Sequence, residues 1–376
     1  MVAAMADKPR TGRARRVLKR GAVGLAVVLG AIGAVLAFDV LWNPTVPLAA
    51  PRVVTRVRHG SDVTVVLGGD FAPTSRAMGP IRAHGYHFPY ETTASILRDA
   101  DVSFANLESP ITQSNAAFWP YKDWIYRVDP EAVAAWQWLG LDAVNLANNH
   151  VIDYRERGLR DTLDYLSAGR IEQVGAGRSE SAARRPLVFD VSGTRVGILA
   201  YLEDRIDFRS YLRTFAVGDG AGCAKLGRVD VEEDVRRLRP LVDVLVVSVH
   251  WGANYADVTE QQEEWAHALA GLGVDVVAGH GSHVAQRVER IGRTVVLHSL
   301  GNYAWGARGL PEVRLGMLAR LHIAPRNGRA AGRITHVDLI PLFTQNRTVN
   351  YQPQILPPAE LAPLVPDDPF WHATTE

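Results

Sequence analysis

The chain is nearly devoid of cysteine, with one residue, Cys223, in 376. A single thiol excludes an internal disulfide framework and any cysteine-rich zinc site, though not an oxidising compartment. Cys223 lies in GDGAGCAKLG, far in sequence from any histidine cluster, so nothing marks it as an activated nucleophile. The surrounding glycine-rich stretch lacks the GxxxxGK[ST] pattern of a phosphate loop. Lysine is also scarce, occurring only at Lys8, Lys19, Lys122 and Lys225, and arginine supplies the remaining basic charge. Excess charge of one sign is missing too. A net charge of +1 gives no bulk electrostatic argument for nucleic acid, and no basic and aromatic pattern points to it, so no nucleic-acid partner is expected. Hydrophobic residues make up 47%, enough for a sizeable core.

Long apolar runs are absent with one exception. Gly21 to Phe38 runs for 18 residues without a charge, and Val40, Leu41 and Trp42 can extend it. That length just spans a bilayer, with Trp42 as an interfacial anchor. The preceding Thr11 to Arg20 carries five basic residues and no acid, which places the N-terminus in the cytoplasm and the rest of the chain outside. Two readings stay open: a transmembrane anchor over 21–42, or a signal sequence cleaved after Val35-Leu36-Ala37 and a secreted product. Both make the globular part extracytoplasmic. The expected organisation is a cytoplasmic basic segment (1–20), the anchor or signal (21–42), a stiff linker (43–61) containing PTVPLAAP, a globular domain (62–345) and a proline-rich tail (346–376).

From Val63 onward, strand-like apolar runs alternate with helical patterns. Strands are predicted at 63–67, 102–105, 143–146, 195–201, 242–249, 274–278, 284–289, 294–298, 316–323 and 334–340. Helices are predicted near 92–99, 131–139, 156–168, 231–238 and 259–272, with Asp129-Pro130-Glu131 as the start of one. The βα alternation of the first two-thirds implies a mainly parallel sheet. The closely spaced strands after residue 284 imply a second, antiparallel sheet. Two sheets with helices outside give a four-layer α/β/β/α sandwich.

The most informative pattern is where polar residues fall. Apolar runs end, one after another, in carboxylates, amides and imidazoles: VTVVLGGD at Asp70, DVSFANLE at Glu108, DAVNLANNH at Asn148, Asn149 and His150, LVVSVHWG at His250, VDVVAGHGSH at His280 and His283, and VVLHSLGN at His298, Ser299 and Asn302. In open α/β sheets ligands bind beyond the carboxyl ends of the strands, and these side-chain types hold divalent metals. Two glycines before Asp70 allow a sharp turn. A carboxylate at the position of Glu108 can bridge two metals. Asn149 can offer a metal its side-chain oxygen, and His150 can bond a substrate oxygen or act as a general acid. Asp153 either orients His150 or caps the following helix. His280 and His283, in a glycine loop, carry the strongest metal signal. Asn106, Asn148, Trp251, Ser299 and Asn302 complete the rim as the expected substrate-binding set. His59, His84, His87, His267, His322 and His336 are read as structural or loop residues.

The ordered set GD, NLE, NNH-x-x-D, HWG-x-x-Y, GHG-x-H-V and SLGN, over residues 62–305, resembles the CapA-like capsule-synthesis family, associated with poly-γ-glutamate capsule production. That family is similar to the calcineurin-like metallophosphoesterases. The resemblance implies their four-layer fold and a site for two divalent ions (Mn, Fe or Zn). Asp70 would bind the first metal and Glu108 would bridge, with Asn149, His250 and one of His280 and His283 completing the set. His150 would assist the leaving group, and a membrane-bound machinery making an envelope or capsule polymer would be the partner. Three positions depart from the pattern. Asp70 is followed by Phe71-Ala72 where Asp-x-His is usual, His280 and His283 are one residue further apart than in GH-x-H, and Asn254 replaces a common Glu.

Overall fold

The computed structural model describes residues 48–117, 122, 124–205, 214–306, 315–326 and 332–376. The expected basic segment and the anchor or signal over 21–42 lie outside the described residues. Among the described residues no helix is long and apolar enough to cross a membrane.

In chain order the strands are β1 (Arg52–Arg56), β2 (Val63–Ala72), β3 (Val102–Leu107), β4 (Ala143–Asn145), β5 (Glu172–Val174), β6 (Ala176–Gly177), β7 (Leu187–Val191), β8 (Thr194–Leu202) and β9 (Gly222–Cys223). They continue as β10 (Val244–His250), β11 (Val276–His280), β12 (Val288–Ile291), β13 (Thr294–Leu297), β14 (Asn302–Trp305), β15 (Leu315–Ile323), β16 (Ile334–Phe343), β17 (Gln354–Ile355) and β18 (Trp371–Ala373). The helices used below are α1 (Met78–His84), α2 (Ala94–Arg98), α3 (Ala132–Leu139), α4 (Arg155–Ala168), α5 (Glu180–Ala183), α6 (Arg228–Leu238) and α7 (Glu260–Gly271).

The fold is mixed α/β with two large sheets. One has the order β1-β7-β8-β10-β11-β13-β12; the other runs β17-β16-β15-β2-β3-β4-β5, with β14 on β2 and β18 on β16. β6 and β9 form a small ribbon. One core joins both sheets: Val244, Val246, Val276 and Ala278 of the first belong to the same cluster as Leu67, Phe104 and Leu318 of the second. Alternate residues Leu245, Val247, Val249 and Val277 face the other way, against Val231, Val235 and Leu238 of α6 and Ala266 and Leu269 of α7. A strand covered on both faces reads as an unbroken apolar run, which is why these were visible in the sequence. α7 begins with a capping box in which Thr259 and Gln262 satisfy each other's backbone N–H groups. At the start of α3, Asp129 makes no cap; its carboxylate accepts a hydrogen bond from the Tyr86 hydroxyl at 2.9 Å.

One expectation is corrected, and two segments outside the predicted strands add to the fold. The strands after residue 284 do not form a sheet of their own. β12 and β13 extend the first sheet, while β15 and β16 join the parallel strands β2, β3 and β4 in the second. β2 thereby has a hydrogen-bonded neighbour on each edge, antiparallel β15 and parallel β3. The stretch read as linker contains β1, an edge strand parallel to β7, whose alternately exposed side chains leave no apolar run to recognise. The proline-rich tail is packed as well: β17 and β18 pair with β16, and Leu361 and Trp371 are buried.

Candidate metal centre

Register brings the strand ends together. Gly68 faces Ala105 and Asp70 faces Asn106, so Gly69 is an extra residue on β2, a bulge that turns the Asp70 side chain. A Cβ on Gly69 would lie 2.0 Å from the Gly301 carbonyl oxygen, so only glycine fits there. On its other side Asp70 faces Asn302 of β14. In the first sheet His250 and His280 are direct neighbours on β10 and β11. Gly281 then turns with φ +95° and His283 is held at φ +59°. A non-glycine residue in that region costs on the order of 1–3 kcal/mol and persists only where its surroundings demand it.

The result is one buried cluster. Asp70 accepts from Asn106 Nδ2 at 2.7 Å and from the Gly281 N–H at 3.0 Å. The His283 and His280 rings lie 3.4 and 3.7 Å from the same carboxylate. The Nε2 atoms of His250, His150 and His283 approach Glu108 Oε1 to 3.7, 3.8 and 3.8 Å, too far for hydrogen bonds. Both Glu108 oxygens, the Asn149 side-chain oxygen and both His280 ring nitrogens are buried without a hydrogen-bond partner. Each such atom costs about 1–3 kcal/mol if left so. Ligand atoms of Asp70, Glu108 and His250 lie within 4.8 Å of one another, an arrangement that can hold a metal ion. Oxygen and imidazole donors with vacant lone pairs are the donor set that divalent cations take.

Electrostatics agree with that. Burial pushes the Glu108 carboxyl well above its ordinary value, despite His283 nearby. Burial acts the same way on Asp70, but the His283 hydrogen bond and charge, with His250 and His280, outweigh it and bring the carboxyl down to about 2. Burial lowers His250 to about 3 and His280 to about 4, so both are neutral and ready to ligate at pH 7. Burial also disfavours charge on His283, but Glu108, Asp70 and Asn302 raise it to about 9.

A second group backs His150. Its Nδ1 lies 2.7 Å from Asp153 Oδ2, a contact that favours a proton on Nδ1 and turns the Nε2 lone pair toward Glu108. Lys122 pairs with Asp153 and donates to the Asn149 carbonyl at 2.7 Å. The Tyr126 N–H also donates to Asp153 at 2.7 Å. Asp153 therefore orients His150, and α4 starts without a side-chain cap. Burial lowers His150 to about 4, outweighing its attraction to Asp153, so the resting imidazole is neutral. Aromatic rings wall the cluster: Tyr126 lies 4.2 Å from the His150 ring, Trp305 4.6 Å and Tyr255 5.6 Å from the His283 ring. Ala72 packs against Tyr126 and Trp305.

Asp70, Glu108, His150, Asp153, His250, His280 and His283 are thus brought together, and Asn149 precedes His150 with its backbone carbonyl bonded to Lys122 and its side-chain oxygen buried. The expected substrate-binding set fares differently. Asn106 and Asn148 spend their amides on each other, on Asp70 and on the Leu107 carbonyl. Asn302 accepts from the His283 ring at 3.0 Å, and the Ser299 hydroxyl accepts from the Gly301 N–H at 3.0 Å. These four hold the site's shape. The Trp251 indole is buried against α7 in the outer core and donates to the His298 carbonyl at 2.8 Å. Lys122, Tyr126, Tyr255 and Trp305 were missed. The tyrosine of HWG-x-x-Y was the one available signal; the others sit in no polar cluster.

The profile of the family described as bacterial capsule synthesis protein PGA_cap matches residues 64–306. The chain is 27% identical to PGA biosynthesis protein CapA of Bacillus subtilis (strain 168) over 66% of its length and 64% of that protein. It is 24% identical to capsule biosynthesis protein CapA of Bacillus anthracis, covering 88% of this chain and 78% of that one. It is 29% identical to the probable polyglutamine synthesis accessory protein Rv0574c of Mycobacterium tuberculosis (strain ATCC 25618 / H37Rv), covering 68% and 70%. The chain thus spans just under two thirds of the first of these relatives.

Proposed function

The chain belongs to the PGA_cap family of bacterial capsule synthesis proteins, and from that premise we propose that it is a membrane-anchored, extracytoplasmic protein of capsule or envelope polymer synthesis, of poly-γ-glutamate type, carrying a two-metal hydrolase site. The observation that supports this reading is Glu108, whose two buried oxygens have no hydrogen-bond partner although His250 and His283 stand 3.7 and 3.8 Å away. The fold is read as the metallophosphatase-type four-layer sandwich. Asp70, Glu108, Asn149, His250, His280 and His283 would hold two ions of Mn, Fe or Zn. Such ions supply Lewis-acid polarisation of a phosphoryl or acyl oxygen. Water attacks the phosphorus or acyl carbon and gives its proton to Nε2 of neutral His150, which Asp153 orients; the bond to the leaving oxygen breaks as His150 passes that proton to it. Tyr126, Trp305 and Tyr255 restrict water around that exchange.

Metal content of the purified full chain tests the site. Wild type is expected to exceed Asp70→Ala and His283→Ala by up to two equivalents, and equal content in all three would refute it. For catalysis, Mn²⁺-dependent hydrolysis of a generic phosphodiester should fall about 10²–10⁴-fold in His150→Ala. A second reading, a non-catalytic accessory of a membrane polymer synthase, is favoured by Ala72, which meets aromatic rings where a ligand is usual. Under that reading a metal-site variant restores surface polymer in a deletion strain.

A further inference from the structure

Two histidines read as structural from the sequence, His322 and His336, are gathered by the second sheet with a third, His372. His322 on β15 faces His336 on β16, and Asp338, two residues on, faces His372 on β18. Strand alternation puts all four on one face, while Leu321, Val337, Leu339 and Trp371 point into the core. Thr64, opposite His322, lies six residues from Asp70 along β2, so the cluster is roughly 20 Å from the strand-end site.

The geometry centres on the Asp338 carboxylate. His322 Nε2 is 2.8 Å from Oδ2, His372 Nδ1 is 3.5 Å from Oδ1 and His336 Nε2 is 3.9 Å from Oδ1. Ligand atoms of His322, His336 and Asp338 all lie within 4.8 Å of one another, while His372, half exposed, adjoins the group through Asp338 and completes it by turning its ring inward; donors around one tetrahedral ion with bonds of ~2.0–2.1 Å stand about 3.3 Å apart. The His322 and His336 rings stack at 4.0 Å, 13° from parallel. The Thr335 hydroxyl donates to the His322 carbonyl at 3.1 Å, so at 3.0 Å its oxygen accepts from His336 Nδ1. That fixes the tautomer with the Nε2 lone pair turned to Asp338, the outer-shell arrangement of ligating imidazoles. Arg320 Nη1, 3.8 Å from Asp338, and Asp62, 4.0 Å from His322 Nδ1, flank the group.

We propose that His322, His336, His372 and Asp338 form a Zn²⁺ site on the outer face of the second sheet, separate from the strand-end site, which fastens the C-terminal strand β18 to β16. All four side chains have solvent access, so the ion enters without opening the core. Bound metal stabilises the folded state by mass action and protects the tail.

The test is calorimetric titration of ZnCl₂ into tag-free full chain stripped of metal, with circular dichroism confirming that each variant is folded. Asp70→Ala, lacking the inner site, should keep one saturable equivalent. His336→Ala and His372→Ala, each added to it, should weaken that equivalent at least tenfold, while His59→Ala should not. Zn²⁺ should slow carboxypeptidase trimming of the tail in Asp70→Ala and not in Asp70→Ala/His336→Ala. Should Asp70→Ala not fold, His336→Ala alone must bind one equivalent fewer than wild type. Unchanged stoichiometry and affinity in both histidine variants would overturn the proposal. Loss confined to Asp70-dependent equivalents would instead bear on the inner site.

Discussion

Glu108 concentrates the chemistry at the level of single residues. A carboxyl whose folded pKa lies above its ordinary value binds more protons in the folded state, so it weakens the fold as pH rises through about 4.5 toward the shifted value. A cation reverses this by bonding the charged form. Glu108→Gln is therefore expected to equal or exceed wild type in stability at pH 7 in chelator, by up to about 1–3 kcal/mol, and to fall below it when Mn²⁺ is added. Thermal melts under both conditions check the crossing; wild type leading in chelator as well would contradict it. Asp153 gives the opposite case. Its burial is outweighed by His150 and Lys122, which hold the carboxyl below its ordinary value. Asp153→Asn removes the carboxylate from a buried ion pair, a change that costs about 3–5 kcal/mol. Asp153→Asn/Lys122→Met should recover most of that stability without recovering hydrolysis, since His150 stays unoriented. Recovery of turnover along with the melting temperature would show that Asp153 serves only the fold.

The elements explain why the site was legible in part. β2, β3, β10 and β11 are buried on both faces, so their sequences are apolar up to the point where the ligands begin. Asp70, Glu108, His250 and His280 stood out for that reason. β1 has no buried residue, and β5, β17 and β18 are only two or three residues long, so no pattern announced them. Sheet membership was illegible because β15 pairs with β2 across more than two hundred residues, a choice made by packing rather than by local pattern. Lys122 and Trp305 were hidden similarly: each reaches the site from a segment with no polar cluster of its own. Turns between elements carry a testable requirement. A Cβ on Gly281 would meet His250 Nε2 at 2.7 Å, at a φ of +95° that other residues rarely adopt. Gly281→Ala should displace His250 and lower Mn²⁺ affinity at least tenfold, with loss of about 1–3 kcal/mol of stability. Unaltered Mn²⁺ binding in a titration would mean that His250 is not a ligand.

At the level of the whole molecule, the question is whether anchoring and the metal centre serve one task. The apolar run 21–38 and the basic stretch before it argue for attachment, while the inner core argues for a site that needs no membrane to form, because every proposed ligand of the strand-end site lies between residues 70 and 283. The two can be separated genetically. If residues 1–42 are replaced by a cleaved secretion signal, the product should be released in soluble form with its metal content intact, yet support less surface polymer, since tethering raises the effective concentration beside a membrane synthase. Asp70→Ala in the full chain should do the reverse, remaining in the membrane fraction without inner-site metal. Polymer yield in a deletion strain carrying each version then distinguishes the roles. Failure of both versions requires anchor and metal together, as a tethered hydrolase would. Full function of the released version would remove the anchor from the account, and the intact mass of the wild-type protein would then show whether the chain had been cut after Ala37.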